Sequence, residues 1–100
     1  MSELLEHHVF AGLLNTKFRV VLDGPTQVEL ELIEVTDLKI SERQEEFSIL
    51  FLGATDQFLG QGLRTLEHEA GTFELFLVPV EKGQSGVQYQ AIFNRVRGMR

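Results

Sequence analysis

Three histidines, four serines and several closely spaced glutamates are the residues of this 100-residue chain whose types could carry chemistry. His7 and His8 adjoin in "LEHHVF", and His68 stands between Glu67 and Glu69 in "LEHEAG". A zinc site needs three or four ligands converging at ~2 Å. Adjacent residues on a helix diverge by about 100°, and in a strand Glu67 and Glu69 share the face opposite His68. Neither spacing gathers ligands, so no metal is expected. The absence of cysteine removes thiolate sites, a catalytic thiol and a disulfide framework.

Acyl transfer fares no better. None of Ser2, Ser41, Ser48 and Ser85 lies in a G-x-S-x-G elbow, and a triad would need His68 and an acid brought together from distant strands. The pairs Glu29 with Glu31 and Glu45 with Glu46 resemble general acid/base couples, yet glutamates alternating along a strand ordinarily form its solvated face. "GQGLRT" lacks the third glycine and the preceding apolar strand of a dinucleotide fingerprint. The expectation is a protein that is not an enzyme, with no catalytic residue and no cofactor.

Charge narrows the partners. A net charge of -6 and a pI near 4.9 argue against nucleic acid, whose phosphates require a basic face. Arg95, Arg97 and Arg100 cluster only at the chain end and read as a solvated terminus. No apolar run approaches the ~18 residues of a membrane span. Glu3 and Glu6 stand where a leader would be basic, so the expected location is cytoplasmic, with no membrane contact. The 43% hydrophobic content matches a folded globular unit of one core. Eight Phe beside one Tyr and no Trp suit a packed interior better than a Trp-built ligand site.

The elements that must position these residues follow from periodicity. Residues 3–14, "ELLEHHVFAGLL", place Leu5, Val9 and Leu13 at four-residue spacing, which is one helical face. Ser2 can cap that helix, with Glu3 and Glu6 in its first turn. Gly12 weakens its end and Asn15 offers a stop. From residue 17 the period becomes two. "KFRVVLDG" alternates Phe18, Val20 and Leu22 against Lys17, Arg19 and Val21, and "DGPTQ" turns the chain. "VELELIEV" points Val28, Leu30 and Leu32 one way and then slips phase to Ile33 and Val35, the mark of a β-bulge or sharp bend. "SERQEE" connects to "FSILFLGA", and "GLRTLEHE", "TFELFLVPV" and "VQYQAIFNR" complete the set. The expected fold is all-β with one short N-terminal helix: a six-stranded antiparallel meander, as a small barrel or two-layer sandwich. It forms a single domain over 1–100, with the helix at about 3–14 and the β-domain at about 17–95.

Two strands are apolar on both faces. In "FSILFLGA", Phe47, Ile49 and Phe51 oppose Leu50 and Leu52, and in "TFELFLVPV" an extra row of Phe76, Val78 and Val80 backs the first. The economical expectation is that the helix and these second faces cover each other. A subunit interface or an apolar pocket inside the barrel are the alternatives. Pro79 suits a strand end or a bulge, and the last strand, apolar on one face, suits an edge or a solvent-facing position.

The segments "EFSILFLGATDQFLGQG", "LEHEAGTFELFLVPV" and "VQYQAIFNR" resemble a family of small bacterial domains of unknown function. Its pattern reads F-S-L-x-F-x-G, Q-G-x-Y, L-x-H-x-x-G, F-L-V-P and Y-x-A-x-F-N. The matching positions are Phe47, Ser48, Phe51, Gly53, Gln61, Gly62, His68, Gly71, Phe76, Leu77, Pro79, Tyr89, Phe93 and Asn94, while Arg64 stands where the family tends to have tyrosine. The resemblance implies short stand-alone proteins, some encoded near phage-tail-like genes, with no assigned activity. Gln61, His68 and Asn94 are polar matches that apolar packing does not explain. Two functions are expected in turn. The first is a structural or protein-interaction module that meets a protein partner, or itself, through Phe76, Val78 and Val80. The second is a small-molecule-binding barrel with its ligand near Gln61, His68, Tyr89 and Asn94.

Overall fold

The computed structural model of the chain describes residues 7–22 and 27–96, with backbone alone at 95 and 96. Helix α1 (His7–Ala11) precedes strands β1 (Lys17–Val20), β2 (Val28–Val35), β3 (Lys39–Ile40), β4 (Gln44–Gly53), β5 (Gly62–His68), β6 (Gly71–Gly83) and β7 (Gly86–Val96). The expected cap at Ser2, the first-turn glutamates and the "DGPTQ" turn fall wholly or largely outside the described residues, as do Arg97 and Arg100.

Among the described residues the strands form one antiparallel sheet in the order β2-β1-β5-β6-β7-β4-β3, and a further β2–β4 pairing closes six of them into a barrel. The all-β class and the barrel agree with the sequence; the meander holds only within each half. β1, β2 and β4 follow one another, as do β5, β6 and β7, but the halves join β4 to β7 and β1 to β5. The segment after β4 therefore crosses to the far side of the barrel instead of turning back beside it. β7 consequently lies between β4 and β6 and not at an edge.

The rows read as inward are inward. Phe18, Val20, Val28, Leu30, Leu32, Ile49, Phe51, Phe73, Leu77, Val87 and Tyr89 are all buried to within a few per cent, joined by Leu66 of β5, each contributing about 1.5–3 kcal/mol of transfer free energy. The phase slip in β2 is a register shift between Leu32 and Glu34 against β4, and Pro79 borders a second shift, Pro79/Glu81, against β7. An extra residue at each point bends its strand and lets a small barrel close. At the β6–β7 hairpin, Gly86 has φ +148°, and a Cβ there would stand 2.3 Å from the Gly53 carbonyl oxygen, so only glycine fits.

Helix α1 ends at Ala11, just before Gly12, and Asn15 ends the following turn in the left-handed region at φ 69°, its N–H donating to Leu32 O at 2.7 Å. The β6–β7 ladder begins at Val78↔Gln90, whereas residues 71–77 of β6 pair with β5. Phe10 fills the corner between the parting strands, its ring centroid 5.4 Å from Phe73, 5.3 Å from Phe93 and 6.3 Å from Phe47. His7 adds an edge-on contact to Phe47, and its Nε2 donates to Thr36 O at 2.9 Å.

The helix therefore closes the end of the barrel and does not cover the second faces. Among the described residues of α1 the buried side chain is Phe10, and it is committed to the interior. Phe76 and Val80 remain 51% and 48% exposed, which overturns the expectation that helix and outer row bury each other.

Candidate functional site

β5 separates the polar residues singled out in the sequence. Gln61 precedes its first residue and is exposed, while His68 is its last residue at the opposite, helix-bearing end, roughly 20 Å away at ~3.3 Å per residue. His68 accepts the Ala70 N–H on Nδ1 at 2.9 Å, so Nε2 carries the proton and donates to Thr16 Oγ1 at 2.9 Å. Thr16 Oγ1 in turn donates to Leu13 O at 2.6 Å, and the imidazole lies 4.6 Å from the Phe18 ring. This chain of bonds ties the β5–β6 turn to the residues that follow α1.

Tyr89 performs the equivalent task at the other end. Its ring is buried among the core residues, its hydroxyl accepts the Leu59 N–H at 2.9 Å, and it donates to Gln57 O at 3.4 Å. The loop between β4 and β5 is thereby held over the barrel mouth. Arg64 lies beside that loop and donates from Nη2 to Gly60 O at 2.9 Å, while its buried Nε has no partner. Asn94 lies on the outer face of β7 and accepts from Gln44 Nε2 at 2.9 Å. Tyr89 and the Gln61 segment thus share the loop-bearing end of the barrel, while His68 and Asn94 lie toward the helix-bearing end. Two open surface depressions, of about 360 and 310 Å³, are lined by none of Gln61, His68, Tyr89 and Asn94. Among the described residues no group of three His, Asp or Glu is placed to hold a metal ion.

The outer face of three adjacent strands is different in kind. β6 presents Phe76, Val78 and Val80 there, β7 presents Gln88, Gln90 and Ile92, and β4 presents Ser48, Leu50 and Leu52. The registers lock these into rows: Val78↔Gln90↔Leu50 forms one, and Ile92↔Ser48 and Gln88↔Leu52 flank it. Leu63, 67% exposed, extends the surface from β5 opposite Phe76, and Ile92 is 69% exposed. None of these ten residues is charged, although 24% of the chain is. Exposed carboxylates border them instead: Glu34 opposite Leu50, Glu81 opposite Gln88, Glu74 before Phe76 and Glu46 before Ser48. The sequence showed the Phe76, Val78, Val80 row and the Leu50, Leu52 row. It also held the signal for Ile92, which shares the parity of Gln88 and Gln90.

The model of a family described as a domain of unknown function (DUF6916) matches residues 5–93. This chain belongs to the DUF6916 family. The match spans α1 and the barrel through Phe93, in keeping with the resemblance read from the motifs. No curated protein and no solved structure matches the chain. Of the motif positions read from the sequence, Phe47, Phe51, Gly53 and Tyr89 are buried, His68 and Tyr89 secure loops, and Ser48, Phe76 and Val78 lie within the uncharged outer rows.

Proposed function

We propose that this DUF6916 domain is a non-enzymatic protein-interaction module that docks a partner on the outer face of β6, β7 and β4. The observation that carries this reading is the uncharged surface of Phe76, Val78, Gln90, Ile92 and Leu50 on a barrel whose helix lies elsewhere. Apolar rows cost solubility and contribute nothing to an already filled interior, so their natural role is to be covered on binding. A phage-tail-like assembly, which the family resemblance implies, is one setting in which a small rigid module would be retained for such a surface. The polar residues once expected to hold a ligand are engaged in loop anchoring or lie apart, which favours docking over small-molecule capture.

The test compares wild type with Phe76→Asp and Ile92→Asp by quantitative affinity purification from the native cells, with thermal melting alongside. Because both side chains are at least half exposed, each variant should melt within about 0.5 kcal/mol of wild type while losing a protein that the wild type retains. Identical co-purifying sets for wild type and both variants would overturn the reading.

A further inference from the structure

The outer face also bears on the nature of its partner, an inference that rests on the interaction reading above. At ~4.8 Å between strands and ~6.7 Å between same-face residues, three strands by three positions cover roughly 300 Å². A specific interface buries about 800 Å² on each partner. The footprint must therefore extend past the uncharged centre onto the border, where Glu34, Glu46, Glu74 and Glu81 are all exposed. Lys39, registered against Glu46, and Lys82, over the Phe58 ring at 5.9 Å, are fewer than these carboxylates, and the border is on balance acidic.

We infer that this face docks a protein whose contact surface is apolar at its centre and bears Lys or Arg at its margin. A second copy of the chain would bring the same acidic border and another net charge of -6, and like charges at a margin slow encounter and select against that pairing. A basic margin instead meets the four carboxylates and leaves the Gln90 amide at the centre, able both to donate and to accept.

The experiment places a photoreactive amino acid at Val78 in the full-length chain and irradiates native cells. It is repeated with Glu34→Lys, Glu74→Lys and Glu81→Lys combined. The expected result is one adduct whose partner, identified by mass spectrometry, has a basic contact surface, with a yield at least tenfold lower in the reversed chain. In extracts, raising salt from about 50 to 500 mM should lower the wild-type yield by a similar factor, which keeps the test decisive if the triple variant does not fold. An adduct at twice the chain's mass made of two copies would overturn the inference, as would a yield indifferent to reversal and to salt. Absence of any adduct at Val78 would overturn the interaction reading itself.

Discussion

His68 shows how a residue that looks like chemistry can be architecture. Its two ring nitrogens are both used, Nδ1 by the Ala70 N–H and Nε2 by Thr16 Oγ1, so neither is free for a metal or a proton-transfer partner. His68→Ala should cost about 1–3 kcal/mol, the range for leaving partly buried donors and acceptors unpaired, as read by denaturant unfolding. Nitrogen NMR of the imidazole should find the proton on Nε2; a proton on Nδ1 would contradict the bonding described. The sequence showed that His68, Gln61 and Asn94 were not explained by apolar packing. It could not show which side chains His68 and Asn94 meet, because Thr16 and Gln44 lie 52 and 50 residues from them. Tyr89 was similarly marked without its partners, Leu59 and Gln57, on a loop whose path period-two alternation does not encode.

At the scale of elements, alternation made the strands legible and left their order open. Except in β5, for which alternation assigned no face, the inward rows followed from period two, and both irregularities announced themselves, one as the phase slip after Leu32 and the other as Pro79. The joining of β4 to β7 and of β1 to β5 was not legible, since each strand is apolar on its inner face whichever neighbour it takes. The placement of α1 was not legible either. An apolar helical stripe can cover the outside of a sheet or stop its end, and only the parting of β6 from β7 selects the second. Phe10→Ala should accordingly destabilise the fold by ~3–5 kcal/mol, the usual loss for a buried phenylalanine, measured by chemical denaturation. A loss below about 1 kcal/mol would mean that the barrel end closes without the helix.

For the whole molecule, the contrast between inside and outside gives the account its direction. The interior is filled by aliphatic and aromatic side chains with Phe10 as its end piece, and one outer face stays uncharged within an acidic border. The sequence raised this question through the doubly apolar strands, and the fold answers it by leaving that face exposed. The most direct measurement is a comparison of photo-crosslinking in native cells from Gln90, at the centre of the face, with that from Glu29, exposed on the outside of β2. The account predicts a discrete protein adduct from Gln90 and none from Glu29. Equal adducts from both positions, or none from Gln90, would contradict it.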